Sequence, residues 1–203
     1  MHVIRAILFD LGGVLIRLRG HRVLLDYLPA GVSDRVFLTR WLHSPSVRQF
    51  ESGRMTLPDF CRAAVTELGL KMTEDQFLLV FQRFLDQPYE GPDEVLPRLM
   101  ERYITGVLSN TSETHWEMAT TMLPVLNDVH HRFLSCRLGL LKPDADIFEE
   151  VLRQLKLQAG EVLYFDDHPA NVAAARELGI QAVAVDGFGE AVEAMTALGL
   201  LIP

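Results

Sequence analysis

Short apolar runs that end abruptly in polar residues recur along this chain. Val3 to Phe9 is apolar except for Arg5 and stops at Asp10 and the Gly12-Gly13 pair. Tyr103 to Leu108 stops at Ser109-Asn110, Glu161 to Phe165 at Asp166-Asp167, and Gln181 to Val185 at Asp186-Gly187. Continuous apolar character over so short a run marks a strand buried on both faces. Between the runs, apolar residues fall at helical spacing over Asp93 to Arg102, Glu113 to Met122, Asp144 to Leu155 and Ala170 to Leu178, the last closed by Gly179. Strands alternating with helices predict βαβ units, and so an α/β fold whose central parallel sheet is covered on both faces. Ligands of such sheets bind beyond the carboxyl ends of the strands, where Asp10, Ser109 and Asp166-Asp167 fall.

From Leu18 to Tyr89 the alternation stops and only helical periodicity remains, over His21 to Tyr27, Ser33 to His43, Ser46 to Ser52, Leu57 to Leu68 and Thr73 to Leu85. Gly53 and Gly69, followed by Thr56 and Thr73, read as helix stop and start signals. This predicts a helical insertion after the first strand, residues 18–89, within an α/β core of residues 1–17 and 90–203. Ile16 to Arg19 and Gln87 to Pro92 join the two parts, so opening and closing of the insertion is expected.

Composition narrows the function. The 203 residues are 49% hydrophobic, with 19 Lys plus Arg against 27 Asp plus Glu, a formal charge of -8. Disorder needs less hydrophobicity and a nucleic-acid binder a basic surplus. Ten basic and nine acidic residues lie between Val14 and Gly91, which leaves nine against eighteen, or -9, for the rest. The acidity therefore belongs to the core. Cys61 and Cys136 form no paired motif, so neither zinc nor a disulfide framework is suggested. No apolar stretch reaches the roughly 18 residues of a membrane span. The apolar start meets Asp10 without a small-residue cleavage site, so a cytoplasmic location is expected.

The strand ends carry a coherent chemistry. Phe9-Asp10-Leu11-Gly12-Gly13 offers a carboxylate and close backbone approach, and Ser109-Asn110-Thr111 a hydroxyl and amide donors. Leu141-Lys142-Pro143 offers an ammonium, and Asp166-Asp167 a pair of carboxylates. Together they supply a nucleophile, an anion cradle and a cation cage. In this order, with a helical insertion after the first strand, the chain resembles the haloacid dehalogenase (HAD) superfamily over essentially its whole length. It is most similar to the branch of α-glucose-1-phosphate phosphatase-like sugar-phosphate phosphatases. The resemblance implies a HAD-like Rossmannoid three-layer core with a helical cap, and a Mg2+-dependent phosphatase acting on a small phosphorylated metabolite. It implies Asp10 as the nucleophile that forms an aspartyl-phosphate. Asp10, the Gly12 carbonyl, Asp166 and Asp167 would hold the metal, Asp166 either through water or as an outer anchor. Ser109 and Asn110 would bind the phosphoryl group, and Lys142 would neutralise charge and orient Asp10. Asn171 would brace the last loop.

Most phosphatases of this superfamily carry an acid-base Asp two residues after the nucleophile, and here that position is Gly12. The glycine is shared with the sugar-phosphatase branch. It suits good leaving groups or a proton-transfer group drawn from the cap or the substrate. Specificity is expected from the cap, where Phe50-Glu51-Ser52-Gly53-Arg54 resembles a Glu-x-Gly stretch of related caps and Arg48 and Trp41 lie nearby. His115 and His168 are the histidines nearest the site, with bracing roles preferred. Trp116, Met118 and Met122 serve either an interface or the core. Two other readings share the pattern: a 2-haloacid dehalogenase, whose fourth motif needs no carboxylate cage, and a non-catalytic phospho-ligand-binding module. A three-glycine dinucleotide turn, a Gly-x-x-x-x-Gly-Lys loop, a His-Glu-x-x-His pair and a Gly-x-Ser-x-Gly elbow are all absent from the sequence.

Overall fold

The computed structural model describes residues 3–201; residues 1–2 and 202–203, which the expected core segments include, lie outside the described residues. The chain begins with β1 (Ala6–Phe9) and β2 (Ile16–Leu18), then a 3-10 segment, Gly20–Tyr27. Four helices follow: α1 (Asp34–His43), α2 (Pro45–Glu51), α3 (Leu57–Glu67) and α4 (Glu74–Phe81). After β3 (Leu85–Pro88) the chain alternates through α5 (Pro92–Met100), β4 (Ile104–Ser109), α6 (Glu113–Met122), β5 (His131–Leu134), α7 (Ser135–Leu138) and α8 (Ala145–Leu155). It closes with β6 (Val162–Asp166), α9 (Pro169–Glu177), β7 (Gln181–Ala184) and α10 (Phe188–Ala197). None of these helices is long and apolar enough to cross a membrane.

Five strands form one parallel sheet in the order β5-β4-β1-β6-β7, so β1 is central. The continuous apolar runs follow from burial on both faces. Ile7 and Phe9 point into a layer with Trp116, Leu96 and Phe188, while Ala6 and Leu8 point into one with Phe148, Val151 and Val172. Phe9 stacks on Phe165 at a centroid distance of 5.4 Å. Each such ring contributes about 1.5–3 kcal/mol through burial. Trp116 and Met118 belong to this core, whereas Met122 is 36% exposed.

The insertion has its own apolar core, built on Phe37, Phe50, Phe60, Phe77 and Phe81. Phe50 and Phe60 stack at 4.3 Å. Ser33, Ser44, Thr56 and Thr73 cap the four helices, as expected of hydroxyl residues ahead of helical runs.

Three features depart from the expected pattern. The insertion is not purely helical at its ends: β2 and β3 pair antiparallel, with Ile16 opposite Pro88 and Leu18 opposite Leu85. The helix expected to Leu85 accordingly stops at Phe81, and Leu85 begins a strand. Pairs so short carry no readable alternation. Strand β5 was not expected, because at the sheet edge His131 and Arg132 break its apolar run. Helix α10 was likewise not anticipated.

Candidate active site

Parallel register brings the motif residues together. Phe9 lies opposite Val107 on β4 and Phe165 on β6, so the next residues along each strand, Asp10, Leu108-Ser109 and Asp166, emerge side by side. The Asp10 N–H donates to the Phe165 carbonyl at 2.8 Å. Ligand oxygens of Asp10, Asp166 and Asp167 lie within 4.8 Å of one another.

Lys142 enters from the loop before α8 and is 3% exposed. Its Nζ lies 3.0 Å from Asp10 Oδ1 and 2.6 Å from Asp166 Oδ2. It also donates to the Leu108 carbonyl at 3.0 Å and to the Tyr164 hydroxyl at 2.9 Å. The Asn110 side chain holds this loop, accepting from the Lys142 N–H and donating to the Lys142 carbonyl, both at 2.9 Å. Asn110 thus positions Lys142, a bond the sequence reading of Asn110 as a ligand donor did not include.

Asp166 is completely buried, and donors surround its carboxylate. Oδ1 accepts from the His168 N–H at 2.7 Å and from Asn171 Nδ2 at 3.0 Å, while Oδ2 accepts from Lys142 and the Tyr164 hydroxyl. Asn171 therefore braces the loop, as expected. Asp167 is exposed, and its Oδ2 lies 2.2 Å from where a Cβ on Gly13 would stand. With φ +76° at Gly13, this is the position in the first motif that only glycine fits. Gly12 differs: a Cβ there would meet a Leu18 methyl at 2.8 Å, so an apolar side chain from β2 covers residue 12.

Charge and burial compete here. Burial pushes the Asp10 carboxyl up to about 7, against the pull of Lys142 and with repulsion from Asp166 and Asp167. Asp167 is exposed as a residue, but its carboxyl turns into the cluster, where lost hydration and the Asp166 charge raise it to about 6. Burial also opposes ionisation of Asp166, but Lys142 and the hydrogen bonds it accepts hold it below the usual range. Burial works against the Lys142 charge too, yet Asp10 and Asp166 hold its ammonium above the ordinary value. Three carboxylates thus face one ammonium, and their hard oxygens suit a divalent cation.

A cavity of about 730 Å³ opens above this cluster, with Asp10, Gly12, Ser109, Asn110, Lys142 and Asp167 on its floor. The cap roofs it with Leu18, Trp41, Phe84 and Glu51. Ser109 is 3% exposed at the end of β4. Four contacts seat the cap on the core. Arg48 pairs with Asp144 at 2.7 Å, and Arg54 donates to the Gly139 carbonyl at 3.0 Å. The Ser135 hydroxyl donates to the Glu51 carbonyl at 2.6 Å, and His115 Nε2 lies 2.9 Å from the Phe81 carbonyl. His115 thus braces the cap, and burial lowers its pKa. Trp41 packs among Phe37, Phe60 and Phe84. Burial pushes Glu51 up to about 7, with Lys142 opposing the rise and Asp10 adding to it.

Three participants were not assigned from sequence: Tyr164, Ser135 and Glu51. Tyr164 lies inside a buried strand and looked like core. The sequence motif around Glu51 assigns it no role, although an acid flanked by Arg48 and Arg54 is a visible signal.

A protein-family model for haloacid dehalogenase-like hydrolases matches residues 4–179. A solved structure described as a predicted HAD-like family hydrolase from Porphyromonas gingivalis covers 99% of this chain and 100% of its own, at TM-score 0.77 and 28% identity. A HAD family enzyme from Bacteroides thetaiotaomicron, solved with magnesium and inorganic phosphate, covers 89% of this chain and 93% of its own at TM-score 0.72 and 26% identity. Among curated proteins, the D-ribitol-5-phosphate phosphatase of Bacteroides thetaiotaomicron is 22% identical over 186 residues, 88% of this chain and 90% of that protein. Acyl-CoA dehydrogenase family member 10 of Mus musculus is 27% identical over 96% of this chain, which spans only 19% of that protein. With its parallel sheet, its helical insertion after the first strand and the acidic cluster at the strand ends, the chain belongs to the haloacid dehalogenase-like hydrolase family.

Proposed function

We propose that this hydrolase is a magnesium-dependent phosphatase of small phosphomonoesters, with residues 1–17 and 90–203 as catalytic core and 18–89 as cap. The observation that carries the reading is the Lys142 ammonium lodged between Asp10 and Asp166 on the floor of a cap-covered cavity, beside Asp167. A halide-displacing site attacks carbon and needs no such carboxylate cage. The relatives that bind magnesium and phosphate, or that cleave D-ribitol 5-phosphate, support the same choice.

In this mechanism Asp10 attacks phosphorus and the ester oxygen departs, leaving an aspartyl-phosphate that water hydrolyses. Ser109 and the free donors of Asn110 hold phosphoryl oxygens, and Lys142 orients Asp10 and offsets negative charge. Asp10, the Gly12 carbonyl and Asp167 would hold Mg2+. Asp166, whose oxygens already accept four donors, fixes Lys142 and would serve the ion as an outer anchor. When bound, the ion reduces the repulsion between carboxylate and phosphate. A sugar or polyol phosphate of the α-glucose-1-phosphate phosphatase kind suits the absent side chain at Gly12. The cavity volume lies within the usual range for small ligands.

The test is phosphate release from sugar phosphates, nucleotides, phosphoglycolate and 4-nitrophenyl phosphate with Mg2+ and with chelator. Metal-dependent release abolished by Asp10→Asn is expected. Activity surviving that substitution, or halide release from 2-haloacids instead, would overturn the proposal.

A further inference from the structure

Expulsion of an alkoxide from phosphorus needs a proton, and hydrolysis of the aspartyl-phosphate needs a group to take one. Residue 12 supplies neither: it is glycine, and Leu18 methyls stand 2.8–3.1 Å from where its Cβ would be. The other titratable groups around the cavity are mostly engaged. Asp144 pairs with Arg48, His115 Nε2 lies on the Phe81 carbonyl, and His43 Nδ1 lies 2.8 Å from the Thr39 carbonyl. Asp10 and Asp167 belong to the nucleophile and cation cluster.

Two remain, His168 on the loop after β6 and, from the cap, Glu51. Glu51 is the last residue of α2, and its carbonyl accepts from Ser135 Oγ at 2.6 Å, fixing its backbone to the core. Gly53, two residues on, comes so close to the core that a Cβ would stand 2.2 Å from the Cys136 carbonyl oxygen. The Glu51 carboxyl lines the cavity, and no described residue hydrogen-bonds or ion-pairs with it. Arg48, on its own helix, pairs with Asp144 while its charge still acts on Glu51, and the core charges facing Glu51 are Asp10 and Lys142.

We infer that Glu51 is the proton-transfer group of this site, donated by the closed cap in place of a side chain at residue 12. The inference rests on the phosphatase reading and deepens it. In the first half-reaction the Asp10 carboxylate forms a bond to phosphorus as the P–O ester bond breaks. The bonding pair goes to the leaving oxygen, which takes the Glu51 proton and departs as alcohol. In the second, the Glu51 carboxylate takes a proton from water as its oxygen bonds to phosphorus. The P–O bond to Asp10 breaks, releasing phosphate and restoring both carboxyl groups. Burial favours the protonated form from which the cycle starts.

The experiment compares Glu51→Gln, Glu51→Asp, His168→Gln and the unsubstituted protein, with Mg2+, on alkyl phosphates and on 4-nitrophenyl phosphate, whose leaving phenol needs no proton. In Glu51→Gln, kcat/KM for alkyl esters is expected to fall about 10²- to 10³-fold, and for the nitrophenyl ester less than about fivefold. The nitrophenyl ester should also give a burst of phenol approaching one per enzyme molecule, because the second half-reaction is slowed. Glu51→Asp should recover part of the alkyl activity. Equal losses on both ester classes, or none on either, would overturn the assignment, as would transfer of the selective loss to His168→Gln. If the unsubstituted protein cleaves neither ester class, the phosphatase reading itself fails.

Discussion

Replacing Lys142 by Met tests the electrostatic account of the site without changing side-chain length greatly. The ammonium is 3% exposed and serves Asp10, Asp166, Tyr164 and the Leu108 carbonyl. Removing one member of a buried ion pair costs about 3–5 kcal/mol, because the remaining charge loses its partner. That cost depends on pH in a direction the site fixes. Lys142 is what lowers Asp10 and helps hold Asp166 below its usual range. Without it Asp10, already raised by burial, rises further, and Asp166 loses the charge that offsets its own burial. Groups raised in this way contribute stability below the unfolded pKa and lose it as pH rises through the folded one. The destabilisation of Lys142→Met is therefore expected to be about 3–5 kcal/mol at pH 8. At pH 5, where the bereft carboxyls take up protons, it should be smaller by at least about 1.4 kcal/mol, one pKa unit. Urea titration with chelator present, followed by the tryptophan fluorescence of Trp41 and Trp116, measures both values. A loss under about 1 kcal/mol at pH 8, or one that grows as pH falls, would refute the reasoning.

Two further outcomes follow from the contacts between cap and core. Gly53→Ala should lower stability by about 1–3 kcal/mol, since residue 53 has φ +71° and its Cβ would meet a backbone oxygen. Gly69→Ala, at φ +67° but in open space, should cost less, and thermal melts of the pair isolate the clash. Burial depresses the pKa of His115, so the unfolded chain takes up its proton first as pH falls below about 6.5. The stability of the unsubstituted protein relative to His115→Gln should therefore fall from pH 7.5 to 5.5, by no more than about 1.4 kcal/mol per unit, since the raised Asp10, Asp167 and Glu51 carboxyls act alike in both proteins and cancel.

Much of the site was legible because each motif lies at the end of a locally coded strand. Asp10, Ser109 and Asp166 each follow a run of residues that can only be buried on both faces, and parallel pairing then sets those ends level. Lys142 was legible by its order in the chain and its Pro143 neighbour. The hairpin of β2 and β3 was not, because residues 16–18 and 85–88 are strand only through each other. Strand β5 was missed for a related reason, its polar residues being tolerable only at a sheet edge.

The sequence by itself determined the alternation of buried strands and helices, the helical insertion, and which polar groups stand at the strand ends. These properties follow from hydrophobic period and local capping. The tertiary structure decided what those groups do to one another. It made Asp166 an anchor by surrounding it with donors, tied Asn110 to the Lys142 loop, and laid Leu18 over Gly12. It also fastened Glu51 to Ser135, 84 residues away, and so brought into the same cavity as Asp10 a carboxyl with which no described residue hydrogen-bonds or ion-pairs. Burial and charge pairing depend on neighbours distant in the chain, and no local pattern of residues encodes them.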